Sequence, residues 1–205
     1  MARWEPNARE RLEEAAMDLF EERGYDRTTV SDIAARAKLA DRTFFRYFSD
    51  KREVLFSGSE VLENLFGEAV TKAPKTAPPL EVVAAAIEAT APVFEPRRAF
   101  ARRRQALIAT NAELLERELI KSVKLAATIA ASLRGRGVAH GTADLAARTG
   151  MVLFQSAFER WLDEDAKGDL GHHVRAALGE LQRVVAKTGA AKQPRKSVRT
   201  VAKRA

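Results

Sequence analysis

The chain has 205 residues, with 35 Lys or Arg against 28 Asp or Glu, a net charge of +7, three histidines and no cysteine. The lack of thiols excludes disulfides, thiolate metal centres and cysteine nucleophiles, and suits a reducing compartment. The N-terminal stretch MARWEPNARERLEEAA has no apolar signal core, and no uncharged run reaches the ~18 to 20 apolar residues that span a bilayer, so a cytoplasmic location is expected.

The positive charge is unevenly placed. Six basic residues (Lys192, Arg195, Lys196, Arg199, Lys203 and Arg204) follow Thr188 with no acid among them, whereas residues 1–56 hold eleven basic and twelve acidic side chains. Bulk charge therefore carries no argument for nucleic acid. A local excess does, because six basic residues face only two acids between Arg36 and Arg52.

Apolar residues recur at three- and four-residue steps throughout, which predicts an all-α chain of about nine helices. The first opens at Pro6 or Asn7, carries Leu12, Ala15, Ala16, Leu19 and Phe20 on one face, and stops at Gly24. Thr29 precedes Asp32 by three residues and suits the N-cap of a short second helix through Ile33 and Ala37. A third short helix covers about Asp41 to Tyr47, and Asp50 with Glu53 forms a capping-box-like pair that predicts a longer fourth helix from that point. The stretch TKAPKTAPP, 71–79, interrupts the pattern. Further helices are expected over 80–91, 97–109, 112–134, 143–163 and 170–187, separated by a Pro92–Pro96 bend, RGRG and DAKGD. The tail after Thr188 has few large apolar residues and is expected to be disordered.

The stretch TTVSDIAARAKLADRTFFRYFSDKREVLF, residues 28–56, places two short helices around a turn at Lys38 to Ala40, which is a helix-turn-helix pattern. Helices this short need a shared core, and Ile33, Ala34, Leu39, Phe44 and Phe48 supply it with Leu19 and Phe20. Phe44 and Phe48 stand four apart and point inward, which turns Arg42, Thr43 and Arg46 outward. Such a face suits the major groove, where arginine donates to guanine and a threonine methyl meets thymine.

These residues resemble the TetR family of bacterial repressors over residues 8–56. The likeness lies in LF before RGYDRTTV, then IAARA, then DRTFFRYFSDKREVLF; beyond residue 56 it covers only helix number and length. The resemblance implies a DNA-binding set of Thr28, Thr29, Lys38, Asp41, Arg42, Thr43, Phe45, Arg46, Tyr47 and Lys51. Within it, Thr29, Tyr47 and Lys51 hold phosphates, Lys51 from the N-terminus of the fourth helix, where the dipole favours an anion. Three positions depart from the family pattern. Lys38 stands where the turn usually has glycine, Ala40 replaces the usual Ser or Thr cap with Asp41 as a substitute, and Phe45 stands for a frequent Tyr.

The resemblance further implies a helix-turn-helix domain over 1–56, a ligand-binding and dimerisation domain over 57–187 and a basic tail over 188–205. Its partners would be operator DNA, a second copy of the chain and a small, mostly apolar effector. Candidate effector residues are Phe100, Arg103, Arg104, Leu107, Phe154 and Phe158, and candidate dimer residues are Val152, Ser156, Val174, Leu178, Leu181 and Val185. The run PRRAFARRR, 96–104, reads either as an exposed helix face or as an anionic effector site. No cofactor is implied, and adjacent His172 and His173 cannot share a helix face to hold a metal. An enzyme finds little support without a nucleophile pair or phosphate-cradling loop. A helical module without a DNA role, binding a small molecule or a protein, is the alternative.

Overall fold

The computed structural model describes residues 7–163, 165 and 167–190, and among them nine α-helices, one 3-10 turn and no strand. Helix α1 (Ala8–Arg23) is capped by the Asn7 side chain and closed by Gly24 at φ 86°. Thr29 and Asp32 form a full capping box at the start of α2 (Val30–Arg36). The turn to α3 (Asp41–Tyr47) passes through Lys38 at φ 55°, so lysine takes the left-handed conformation in place of glycine. Ala40 leaves α3 without a side-chain cap, and Asp41 does not substitute for it; its carboxylate accepts the Ser31 hydroxyl instead.

The fourth helix departs from expectation. Asp50 does accept the N–H groups of Arg52 and Glu53, yet α4 spans only Ser59–Lys72. Between them run successive turns, with Leu55 N–H donating to the Arg52 carbonyl at 3.0 Å and Phe56 N–H to that of Glu53 at 3.2 Å. Val54, Leu55 and Phe56 are all buried, and three consecutive residues cannot share one face of an α-helix. Helix α5 (Pro79–Phe94) opens on a proline and contains Pro92 in its last turn, so the expected bend comes later, at a 3-10 turn (Glu95–Arg97). Then come α6 (Arg98–Ala109), α7 (Ala112–Gly135), α8 (His140–Leu162) and α9 (Leu170–Ala190). The ninth helix takes in three residues of the expected tail; the rest lies outside the described residues.

Two apolar cores form. The first joins Leu12, Ala16, Leu19 and Phe20 of α1 to Ile33, Phe44, Phe48 and Val54–Phe56, and is closed by Ile108 of α6 and Leu114 of α7. The second packs α4, α5, α7, α8 and α9 around Phe66, Ile87, Ile129, Trp161 and Val174. Small residues bring α5 and α8 together: a methyl added at Gly150 would stand 2.2 Å from Val83 Cγ1.

The arginines of α6 and of the turn before it join these parts internally, through bonds that neither reading of the run anticipated. Arg97 binds the buried Glu13 carboxylate at 2.6 Å, and Arg103 reaches Asp18 and Glu21, each at 2.7 Å, so both clasp α1. Arg98 and Arg102 donate to the Trp161 and Leu162 carbonyls at the end of α8. Arg104 donates to the Leu55 carbonyl at 2.6 Å, pairs with Glu118 of α7 at 2.9 Å and covers the Phe56 ring. Exposed pairs contribute little, but removing the partner of a buried carboxylate is costly.

Glu53 completes the clasp, accepting from Arg117 Nε at 2.6 Å and Lys121 Nζ at 3.1 Å. Burial alone would raise its carboxyl pKa; the bonds from Arg117 and Lys121 more than offset this, and the pKa ends below the usual value. A lowered folded-state pKa contributes stability above the ordinary carboxylate pKa of about 4.3 and loses it as pH falls through the folded value. Glu53→Gln should lower Tm at neutral pH and flatten the Tm–pH curve between about pH 5 and 3; an unchanged curve would contradict the clasp. Gly150→Ala should destabilise by about 1–3 kcal/mol through overpacking, with part of the loss recovered in the Val83→Ala, Gly150→Ala double variant, as read by urea unfolding.

Candidate nucleic-acid interface

Helix α3 is held by Phe44 and Phe48, 0% and 3% exposed, whose rings lie 5.4 Å apart in the first core. Its other side presents Arg42 and Arg46, both exposed, Phe45 at 57% exposure, and half-buried Thr43 and Tyr47. The Arg46 guanidinium lies over the Tyr47 ring, 4.9 Å from its centre, and donates to the Tyr47 hydroxyl at 3.1 Å.

Pairing sorts the six basic residues of this stretch. Arg36 makes two bonds to Glu22, at 2.9 and 2.7 Å, Arg52 pairs with Asp50 and Glu113, and Lys51 lies among backbone carbonyls. Lys38, Arg42 and Arg46 have no acidic partner among the described residues, so the unneutralised charge collects on the turn and on the outer face of α3.

Three residues of the expected DNA-binding set, Thr28, Thr29 and Lys51, make bonds within the chain. Thr28 is 1% exposed, and its hydroxyl donates to the Leu19 and Gly24 carbonyls, which places it inside the fold. The Thr29 N–H and hydroxyl both donate to the Asp32 carboxylate, as part of the α2 capping box. Lys51 does not stand at a helix N-terminus. Its ammonium donates to the carbonyls of Tyr25 at 2.8 Å and Thr28 at 3.1 Å and lies over the Tyr25 ring, fastening the segment after α3 to the entry of α2. Sequence reading missed this because the acceptors are backbone groups more than twenty residues away.

Behind this bundle lies a cavity of about 440 Å³ between α4, α6, α7 and α8, also walled by Val54–Ser59. Four of the candidate effector residues line it: Phe100, Arg104, Phe154 and Phe158. Arg103 and Leu107 do not. Arg103 clasps α1, and Leu107 packs on the first core. Sequence reading missed Phe94, Leu115, Leu119 and Met151, which also line it. Their three- and four-residue spacing was visible, but a cavity face has the same period as a core face. Phe94, Phe154 and Phe158 meet at ring separations of 5.4–5.8 Å and form an aromatic wall, with Trp161 behind Phe158 at 5.5 Å.

The candidate dimer residues divide. Val152 and Val185 are 66% and 63% exposed, on the same helices as exposed Leu145. Ser156, Leu178 and Leu181 are half-buried. Val174 is fully buried in the second core and belongs to no surface, because its face of α9 packs on this chain's own helices. Among the described residues there is no group of side chains placed to hold a metal, and no helix is long and apolar enough to cross a membrane.

Residues 12–57 match the model of the bacterial regulatory proteins, tetR family. The HTH-type transcriptional regulator TcmR of Streptomyces glaucescens is 35% identical over 81 residues, 40% of this chain; the match spans 36% of the relative, about a third of its length. Thermus thermophilus FadR, a TetR-family transcriptional repressor solved with lauroyl-CoA, is similar over 95% of this chain and 100% of its own, at 24% identity and TM-score 0.53. FadR of Bacillus subtilis, solved with stearoyl-CoA, matches 84% of this chain and 96% of its own, at 22% identity and TM-score 0.58. These two likenesses extend the shared fold across both cores. Residues 12–57 thus carry a helix-turn-helix similar to that of the bacterial regulatory proteins, tetR family, on a helical body whose fold the two FadR structures share.

Proposed function

We propose that the chain is a homodimeric, sequence-specific DNA-binding transcriptional repressor released from its operator by a small, mostly apolar effector. The observation that carries this reading is the outer face of α3, where Arg42 and Arg46 stand exposed and without acidic partners beside exposed Phe45. A helix of this kind fits the major groove, with arginines donating to guanine edges. Lys38, Thr43 and Tyr47 border the same face. Residues 1–56 form the DNA-binding part and 57–187 the effector and dimer part. Leu145 and Val152 of α8 with Val185 of α9 offer an apolar surface for a second copy, which would present two recognition helices to a near-palindromic site.

The cavity suits an acyl chain or a ligand of comparable apolarity, since aromatic and aliphatic side chains make most of its wall. Lauroyl-CoA and stearoyl-CoA in the two similar structures are in keeping with that class. The cationic groups at its edge are already paired, Arg104 with Glu118 and Lys121 with Glu53, so apolar burial supplies the affinity. An effector shifts the balance only by its differential affinity for the two states.

Selection from random duplexes should enrich a two-fold symmetric site; enrichment of none would defeat the reading in favour of a module without a DNA role. On that site Arg46→Ala should cost about 1–3 kcal/mol and relax preference at one position per half-site. Lys51→Met should act differently, lowering Tm by leaving carbonyls unpartnered. A Lys51→Met chain that keeps its Tm but loses DNA binding would return that lysine to the phosphate-contacting set.

A further inference from the structure

We infer that residues 50–58 are a switch that lengthens α4: unwound in the ligand-accepting form, wound as the first two turns of the helix in the operator-binding form. The inference rests on the reading of the chain as a ligand-responsive DNA-binding regulator and names the element that carries the response.

The segment holds the parts of a helix that has not formed. Asp50 accepts the Arg52 and Glu53 N–H groups as an N-cap does, yet the helix begins only at Ser59. The intervening bonds run to the third residue rather than the fourth, the tighter pattern found at hinges. The α4 N-terminus has no side-chain cap, and the residue before it is Gly58 at φ 85°. The Leu55 carbonyl, which a continuous helix would give to the Ser59 N–H, is held by Arg104 Nε at 2.6 Å; that N–H reaches the Phe56 carbonyl instead, at 3.4 Å. Arg104 thus competes with the helix for one acceptor.

Both cores grip this segment. Lys51 ties it to the entry of α2, and Arg9 donates to the Ser57 hydroxyl at 2.9 Å. Arg117 and Lys121 hold Glu53 from α7. Val54–Ser59 form one wall of the cavity in the unwound form, and winding would turn their side chains and reshape that wall. A ligand filling the cavity therefore selects the unwound form. Winding would withdraw the Leu55 carbonyl from Arg104, carry Glu53 away from α7 and shift Lys51, and with it the helix-turn-helix. Glycine passes between left- and right-handed conformations at little cost, so Gly58 leaves the two forms close in energy.

The test uses the full chain carrying Gly58→Ala, with Gly58→Asn as the control. A methyl at Gly58 meets nothing within 4 Å, so alanine acts through the backbone alone. Alanine disfavours the left-handed conformation and favours helix, whereas asparagine tolerates the left-handed one. Gly58→Ala should slow amide hydrogen exchange over residues 54–62 by about tenfold or more. It should also weaken binding of the dye 1-anilinonaphthalene-8-sulfonate to the cavity and tighten operator binding. Gly58→Asn, which keeps the left-handed conformation, should retain the parent exchange rates over residues 54–62. Unchanged or faster exchange in Gly58→Ala, or equal exchange in the two variants, would overturn the switch. If Gly58→Ala fails to fold by circular dichroism, the Arg104→Met, Glu118→Met double variant frees the Leu55 carbonyl without stranding a carboxylate. The same slowing is then expected, and its absence overturns the inference. Failure of the parent chain to bind any duplex would remove the regulator reading while the exchange result stood by itself.

Discussion

The structure turns on one shared wall. Val54, Leu55 and Phe56 are buried in the core that steadies the recognition helix, and the same residues face the cavity. The proposed ligand and DNA sites therefore meet at a segment that packs on both sides, and a change in filling on one side is felt as a change in support on the other. Close-packed interiors transmit such shifts because they rearrange between discrete packings rather than deform smoothly.

Charge reinforces this wall instead of forming a binding site of its own. Arginines and lysines of α6, the turn before it and α7 converge on α1 and on the 50–58 segment, engaging carboxylates and, at Leu55, a carbonyl. Guanidinium suits this role, since its fixed fork satisfies a carbonyl and a carboxylate together, as Arg104 does with Leu55 and Glu118. Neutralising the clasp internally also leaves the unpaired cations of the DNA-binding stretch where α3 is exposed. A positive patch so confined favours a polyanion at α3 over the rest of residues 1–56.

What the sequence revealed follows the range of the interactions concerned. The Thr29–Asp32 box and the Phe44–Phe48 pair act within four residues, so the second helix, the third helix and the outward turn of Arg42 and Arg46 could be read directly. Lys51, Thr28 and the α6 arginines take partners many residues away, and a lysine bound to carbonyls looks in sequence like one bound to phosphate. At Asp50 the local cap was read correctly and still did not start a helix, because burial of three successive apolar residues outweighed it. Val174 and Val185 belong to one apolar pattern along α9, and only the tertiary fold shows that the first is internal and the second exposed.

The shared wall makes a quantitative demand. In the proposed reading, effector and operator change each other's affinity by the same factor, because the coupling is one free energy. Measuring operator affinity across a titration of lauroyl-CoA, taken as a probe of the proposed ligand class, and the affinity of that probe with and without saturating operator duplex, tests this most directly. The account predicts equal weakening in both directions, within the 5- to 150-fold range typical of such coupling. Simultaneous binding with neither affinity changed would contradict it.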